Sequence, residues 1–435
     1  MKIGLIAMGG IRVVNPELRQ LGLTLPGFVE RGKIIASLPS LGLLTVAAHT
    51  PAENVVSYME VDDLPEELPE FDLVAISSLA ARIYDAYELA DRFRHRGALV
   101  VMGGLHVSVL PDEAAKHCDA VVIGNAEKVW GKLLWDAQSG RLGPRYVGDA
   151  DGVFREAYRM PAFHLLADRD YNRVTIQTSR GCPRACEFCG ASRLIAPQFQ
   201  QKTVELVMDE IRCAREQVAK PFFEFADDNT FLNREWGKSL LRELVREDLR
   251  WFTETDASVA DDPELCDLLA DSGCRQVLIG FESPRSEDLV GLDPNRWKSG
   301  MVDRYQQVID ELQSRGVSVN GCFVVGLDGH TPDIFPAVRD FVEESGLAEV
   351  QCTVLTPFPG TELYRRLQHE GRLLREAFWD RCTLFDVNFQ PVGMSVAELE
   401  EGLRWLIEEL YSGPAYSRRR RAFLRASRSG LARAN

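Results

Sequence analysis

Short runs rich in β-branched residues alternate with helical patterns along most of this 435-residue chain. Two of the runs, at residues 73–76 and 99–102, are apolar without interruption. Strands that lack a polar face are typical of parallel sheets covered by helices on both sides. The chain is therefore predicted to be an α/β protein built from repeated strand–helix units.

The alternation predicts two sheets in successive parts of the chain. A doubly wound parallel sheet is expected first, with strands at residues 2–7, 55–59, 73–77, 98–102 and 120–123. Six strand–helix units follow and favour a partial (β/α)6 barrel, with strands at residues 173–178, 222–226, 251–256, 276–281, 318–325 and 349–355. We divide the chain into the doubly wound domain, a linker, the barrel and a C-terminal helical segment with a basic tail, at residues 1–145, 146–172, 173–370 and 371–435.

Three cysteines, Cys182, Cys186 and Cys189, stand close together after the first predicted barrel strand. Thiolates at this density suit a [4Fe–4S] cluster, which can leave one of its irons open to another ligand. A structural zinc site needs four ligands, and the next cysteine, Cys213, falls inside a helical pattern. The spacing predicts the cluster, and the alternative is a set of buried or zinc-binding cysteines.

This C-x3-C-x2-C run, with its Gly-Cys-Pro context, resembles the cluster loop of the radical SAM enzymes. In that family S-adenosylmethionine (SAM) binds the fourth iron, so the resemblance implies radical chemistry begun by reductive cleavage of SAM. It also implies SAM contacts at the ends of barrel strands, from Asp227 or Asp228, Glu282 and Gly326. A carboxylate that binds the SAM ammonium group would form a charge-assisted hydrogen bond. The alternative for the aspartates is a helix N-cap, and no catalytic residue is assigned beyond the cluster.

The first 145 residues contain, in this order, the strings PSLGL at 39–43, DLVAIS at 72–77, GGLH at 103–106 and DAVVIG at 119–124. This order resembles the cobalamin-binding domain of cobalamin-dependent radical SAM enzymes. Small residues, Ser77, Gly103, Gly104 and Gly124, stand at the ends of three predicted strands. Ligands of doubly wound sheets bind beyond these carboxyl ends. The resemblance implies that cobalamin lies across them, with its nucleotide tail near Ser77 and the glycine pair.

The positions of two histidines bear on how the cobalt of cobalamin is expected to be coordinated. His106 follows the glycine pair, and we expect it to pack near the cofactor. The D-x-H-x-x-G string with which other cobalamin domains ligate cobalt is absent from the sequence. His49 lacks the flanking aspartate and glycine and is interpreted as a structural residue at a helix end. We therefore expect cobalt without a histidine lower ligand.

The composition of the chain indicates which partners the protein is expected to bind and in which cellular compartment it is expected to work. A net charge of −15 argues against nucleic acid, and no apolar run approaches the length of a membrane span. Ten cysteines with an oxygen-sensitive cluster point to the reducing cytoplasm. The exception is the tail, where residues 416–435 hold seven arginines and no acid. It is interpreted as a solvated terminus, with an anionic membrane surface or acidic partner as the alternative.

Together these features favour a cobalamin-dependent radical SAM C-methyltransferase. The resemblance implies that a 5′-deoxyadenosyl radical removes hydrogen from substrate and that methylcobalamin supplies the methyl group to an unactivated carbon. The expected partners are a small-molecule or lipid-like substrate and an external electron donor such as flavodoxin. The alternatives are ring formation or rearrangement without methyl transfer, and a non-catalytic cofactor-binding protein.

Overall fold

The computed structural model describes most of the chain. The described residues are 1–10, 13–21, 38–149, 151–167, 171, 173–190, 194, 196, 198–219 and 221–434.

Within the described residues, the first sheet has six parallel strands. They are β1 (Lys2–Met8), β2 (Val55–Glu60), β3 (Leu73–Ser78), β4 (Leu99–Gly103), β5 (Ala120–Gly124) and β6 (Arg145–Gly148). The helices of this part are α1 (Pro16–Gln20), α2 (Leu41–Ala48), α3 (Ile83–His95), α4 (Leu105–Val109), α5 (Pro111–Ala114) and α6 (Trp130–Gln138). The five predicted strands are confirmed, whereas β6 was not predicted because its four residues include an arginine and a glycine and bury only Tyr146.

The order of this sheet is β2-β1-β3-β4-β5-β6. The chain leaves β1 towards one edge to form β2 and then crosses back to form β3 on the other side of β1. The carboxyl ends on either side of this reversal diverge and leave a crevice, which is where ligands of doubly wound sheets bind.

The second sheet also has six parallel strands in the part of the chain that the structure describes, and they follow one another in chain order. They are β7 (Arg173–Ile176), β10 (Phe222–Phe225), β11 (Trp251–Thr255), β12 (Cys274–Glu282), β13 (Ser318–Val325) and β14 (Glu349–Val354), while β8 (Ser179–Arg180) and β9 (Gln200–Gln201) form a separate antiparallel pair. The helices are α7 (Val204–Gln217), α8 (Arg234–Leu244), α9 (Pro263–Asp271), α10 (Tyr305–Gln313), α11 (Ile334–Glu344), α12 (Glu362–His369), α13 (Val396–Tyr411) and α14 (Gly413–Ala434). The α/β class with parallel sheets is confirmed.

The two faces of the second sheet differ in polarity. On one face Phe281 and Phe323 are fully buried and contact Tyr305 of α10 and Phe341 of α11. Successive side chains of a strand point to opposite faces. Cys322, next to Phe323, therefore points to the face without these helices, together with polar side chains such as Glu224. We call this second face the interior face.

The C-terminal helices close the edge of the second sheet beside β14. The Tyr411 hydroxyl donates to the Val350 carbonyl at 2.7 Å and accepts from the Cys352 amide at 3.2 Å. These contacts satisfy edge-strand groups that would otherwise be unpaired. Helix α13 begins with a capping box formed by Ser395 and Glu398.

The arginine-rich tail forms most of α14 rather than a frayed terminus. Arg419 is only 3% exposed, and it donates to the Leu410 carbonyl at 2.6 Å. The expectation of a solvated tail is thus wrong for this residue, whose charge lies near the carboxylate of Glu349. None of the helices in the described ranges is long and apolar enough to cross a membrane.

Candidate functional site

The cysteine loop begins just after β7 and is held at its base by the antiparallel pair of β8 and β9. Gly181 has a φ of +85°, and a Cβ there would lie 2.6 Å from the Ala196 carbonyl oxygen. Only glycine tolerates both the left-handed backbone and this close approach. The glycine of the Gly-Cys-Pro segment is therefore required by the loop's shape.

The three thiols of the loop are partly exposed, and none of the chain's ten cysteines forms a disulfide. Burial raises the pKa of Cys182 and raises that of Cys186 to about 11. Both thiols are therefore protonated at neutral pH in the chain alone, and a metal that binds them displaces their protons. Among the described residues no three Cys, His, Asp or Glu side chains converge on one metal position. A [4Fe–4S] cluster does not require convergence, because each thiolate binds a different iron.

The two aspartates after β10 have different environments. Asp227 is 2% exposed, and its carboxylate accepts hydrogen bonds from the amides of Thr178 and Ser179 at 2.7 and 2.8 Å and from the Thr230 hydroxyl at 2.9 Å. It therefore fastens the start of the cysteine loop to β10 and does not reach an open surface. Asp228 is partly exposed and near enough to Cys182 to raise the pKa of that thiol. Of the two, Asp228 is the one placed to meet a ligand of the loop.

Glu282, at the end of β12, lies beside the same loop but is paired. Its carboxylate accepts from Lys298 Nζ at 2.5 Å, and Lys298 also donates to the Gly280 carbonyl at 3.1 Å. Glu282 has a φ of +64°, a conformation that is rare and strained for a residue with a side chain. Both charges lie near Cys186. Lys298 was not predicted, because it lies in an irregular segment that only the fold brings to this strand end.

Gly326, the fourth predicted SAM contact, has a packing role in this structure. Its φ is +91°, and a Cβ there would lie 2.9 Å from Leu399 and 3.2 Å from Phe389. The glycine lets β13 turn closely beneath α13. The contact with adenine that the resemblance implies remains a prediction.

A cavity of about 290 Å³ lies at the carboxyl ends of the first sheet, at its crevice. All four small residues predicted there, Ser77, Gly103, Gly104 and Gly124, line it. Gly104 has a φ of +101°, whereas Gly103 has ordinary backbone angles and would place a Cβ no closer than 3.6 Å to Val122. The rest of the first-sheet wall is mainly apolar and includes Leu43, Val46, Ala75, Ile76, Val101, Val122 and Trp130. The space beside the glycines suits a bulky ligand with apolar surface.

His106 does not line this cavity, contrary to the expectation that it packs near the cofactor. Its side chain is buried on the other side of α4, with its ring 5.5 Å from that of Trp379. Its Nε2 lies 3.5 Å from a carboxylate oxygen of Glu113. The helical turn that starts at Leu105 directs this side chain towards the C-terminal segment, which sequence position alone does not reveal. His49 lies in a smaller neighbouring cavity, so no histidine borders the larger one within the described chain.

The same cavity extends to the second sheet. Its lining includes Thr175 and Gln177 from β7 and the residue after it, Arg180 from β8, and Ala226 after β10. The carboxyl ends of both sheets therefore border a shared space. Arg180 was not predicted as a site residue, although it directly precedes the Gly-Cys-Pro segment.

Glu254 is a second residue that sequence reasoning missed. It is the only exposed side chain of β11, and it borders open space on the interior face. The surrounding chain nevertheless encloses it, and burial together with the charges of Glu224, Asp228 and Asp227 raises its pKa to about 8. Acidic residues within strands are usually solvent-facing, so the sequence gives no signal of this position.

Glu254 leads to a prediction on the pH dependence of stability. Its folded-state pKa is about 8, above the 4.5 of the unfolded chain. The folded chain holds this proton more tightly, so the stability that Glu254 contributes is lost as pH rises through that interval. We expect Glu254→Gln to gain melting temperature relative to wild type from about pH 5 to about pH 9. Calorimetry of the cofactor-free chain measures this, with Glu401→Gln on the exposed side of α13 as the control. Parallel curves for wild type and Glu254→Gln would contradict it.

Comparisons with known proteins agree with this arrangement. Residues 176–342, which span the cysteine loop and the second sheet up to α11, match the Radical SAM superfamily. This part of the chain is therefore a radical SAM domain. The protein is thus an enzyme, with the [4Fe–4S] cluster and SAM that define radical SAM chemistry. Residues 361–434 match a domain of unknown function, DUF4070.

Two curated relatives of this radical SAM protein are named for methyl transfer. Bacteriochlorophyllide d C-12(1)-methyltransferase of Chlorobaculum tepidum is 28% identical over 90% of this chain and 86% of its own length. Hopanoid C-2 methylase of Rhodopseudomonas palustris is 26% identical over 79% of this chain and 67% of its own.

A solved structure shares the fold of the whole radical SAM chain. The radical SAM methyltransferase TsrM of Kitasatospora setae, solved with cobalamin and a [4Fe–4S] cluster, has a TM-score of 0.67 and 18% identity. The match covers 96% of this chain and 90% of that protein. The expected resemblance to cobalamin-dependent radical SAM enzymes of the methyltransferase type is confirmed.

Proposed function

We propose that this chain is a cobalamin-dependent radical SAM C-methyltransferase that methylates an unactivated carbon. The observation that carries the proposal is the cavity bordered by the carboxyl ends of both sheets. A group held by the first sheet there faces the start of the cysteine loop. The fold shared with a cobalamin-containing methyltransferase and the names of the two relatives support the same reading.

Each cofactor has a set of residues that fits it. Cys182, Cys186 and Cys189 would hold the cluster, and Asp228 lies where a SAM ammonium group would find a carboxylate. Ser77 and the glycines of the first sheet would border cobalamin. When bound, the cluster and SAM supply a radical that removes hydrogen from the substrate, and cobalamin supplies the methyl group.

The chain's own residues position these groups. Asp227 fixes the start of the cysteine loop through its bonds to Thr178, Ser179 and Thr230. The pair of Glu282 and Lys298 sets a fixed dipole beside Cys186. Groups that are held before the reaction need no reorganisation during it, which lowers the barrier.

We further interpret the second sheet as a partial barrel whose polar interior face borders the substrate. The relatives' names support a small-molecule or lipid-like substrate. An external donor such as flavodoxin would supply electrons. The cytoplasm suits an oxygen-sensitive cluster.

The cavity lining predicts how cobalt is coordinated. The described lining holds no histidine, and His49 is directed to a neighbouring cavity. We expect the Co(II) form to show no superhyperfine splitting from a protein nitrogen. Electron paramagnetic resonance of the chain grown with ¹⁵N-labelled histidine measures this. A splitting that changes with the label would contradict the prediction.

Methyl loading tests the proposed function without knowledge of the substrate. The reconstituted enzyme is incubated in the dark with reductant and SAM labelled with a trideuteromethyl group, and the cobalamin is extracted for mass spectrometry. Label on the extracted cobalamin is expected for a methyltransferase. Formation of 5′-deoxyadenosine with no label on cobalamin would favour the alternative, ring formation or rearrangement.

A further inference from the structure

Arg180 connects the cysteine loop to the first sheet. It is the last residue of β8, two positions before Cys182, and its side chain is 14% exposed. Its Nη1 donates to Glu127 at 2.9 Å and also to the side-chain oxygen of Asn125. Both acceptors follow β5 directly, at the edge of the cavity. A single guanidinium thus joins the segment that precedes the cysteines to the segment that follows β5 of the first sheet.

Other contacts fix the direction of this side chain. The Gln177 side-chain oxygen accepts from Nε at 3.1 Å and from Nη2 at 2.9 Å, which turns Nη1 towards the first sheet. The ring of Phe154 lies 5.1 Å from the guanidinium carbon. A planar fork with separate donors meets all of these acceptors together, which a lysine ammonium at one point does not.

We propose that Arg180 is a positioning residue that holds the cysteine loop in register with the cavity of the first sheet. The proposal rests on the proposed function, because the register concerns the distance between the SAM methyl group and cobalt. Radical formation needs the cysteine loop and the second sheet. Methyl loading also requires the first sheet, which would hold cobalamin, to lie at the correct distance from the cysteine loop. Loss of Arg180 therefore affects the second process and spares the first.

Arg184 offers a matched control within the same loop. It donates to Asp256 at 2.8 and 3.1 Å and lies 4.0 Å from the ring centre of Trp297. It thus has a carboxylate and an aromatic ring as partners, as Arg180 has, but both belong to the second sheet and its loops. Replacement of Arg184 does not alter the register between the sheets.

Hydrogen exchange of the cofactor-free chain gives the first readout. We expect Arg180→Gln to speed amide exchange in peptides that cover residues 124–130, while Arg184→Gln leaves these peptides at wild-type rates. The remaining peptides report whether either variant has lost its fold. Unchanged exchange at residues 124–130 in a folded Arg180→Gln chain would overturn the proposal.

The two products of SAM give the second readout, in the reconstituted enzyme with saturating cobalamin. For Arg180→Gln and Arg180→Lys we expect S-adenosylhomocysteine formation to fall about 100-fold, the scale of a small misplacement of reacting groups. Formation of 5′-deoxyadenosine stays near the wild-type rate. Arg184→Gln keeps the wild-type ratio of the two products. Equal loss of both products in the Arg180 variants, or no change in either, would overturn the proposal.

The partner of Arg180 allows an independent check. Glu127→Gln is expected to lower S-adenosylhomocysteine selectively as well, and the double variant should be no worse than Arg180→Gln, because both changes break one link. Additive losses would overturn the proposed link. Failure of the proposed function is distinguishable, since wild type would then form no S-adenosylhomocysteine at all.

Discussion

Replacement of Cys182, Cys186 and Cys189 together by alanine is expected to abolish formation of 5′-deoxyadenosine. In the proposed function the three thiolates hold the cluster, and without the cluster no electron would reach SAM. We expect the fold to survive, because the loop is held by β8, β9 and Asp227 rather than by the thiols. Bound iron, visible absorbance and product are measured after anaerobic reconstitution, with circular dichroism as the check on folding.

Cys213→Ala is the control for this experiment. Cys213 lies on α7, partly buried, and is outside the cysteine loop. We expect the Cys213→Ala variant to keep the wild-type iron content and to form as much 5′-deoxyadenosine as wild type. A folded triple variant that still binds iron and forms 5′-deoxyadenosine would show that the cluster is held elsewhere.

The second large effect is expected from Gly103→Leu, which fills the cavity of the first sheet. Gly103 lines the cavity without a positive φ, and its Cβ would have ordinary contacts, so a side chain enters the space without backbone strain. Cobalamin affinity should fall about tenfold to a hundredfold, because overpacking costs roughly 1–3 kcal/mol and about 1.4 kcal/mol is a factor of ten. Equilibrium dialysis measures the affinity.

Two more glycines make the result specific. Gly42, on α2, also lines the cavity and has open space at its Cβ, so Gly42→Leu should weaken cobalamin binding in the same way. Gly131 on α6 has the same open space but does not line the cavity, and Gly131→Leu should bind as wild type does. Wild-type affinity in a folded Gly103→Leu chain would mean that cobalamin binds elsewhere.

The sequence predicts local features of this chain well. Strands of the first sheet carry continuous apolar runs, and the cysteine triad lies within one loop whose shape Gly181 determines. Such features depend on neighbours in the sequence. The short strand β6 was not predicted, because only its pairing with β5 makes it a strand.

Long-range contacts account for what sequence reasoning missed at the site. Asp227 and Asp228 are adjacent in the sequence. Only Asp227 accepts hydrogen bonds from the amides of Thr178 and Ser179, which the fold brings close to it. The direction of His106 depends on Trp379, a residue of the C-terminal segment. Likewise, Lys298 and Arg180 acquire their roles from partners on distant parts of the chain.

The proposed function rests on two different uses of SAM by one chain, and the two products report them together. After anaerobic reconstitution with iron, sulfide and cobalamin, wild type is incubated with SAM and dithionite, and 5′-deoxyadenosine and S-adenosylhomocysteine are quantified in the same sample. We predict both products, with S-adenosylhomocysteine dependent on added cobalamin. 5′-Deoxyadenosine alone, from a chain with cobalamin bound, would contradict methyl transfer.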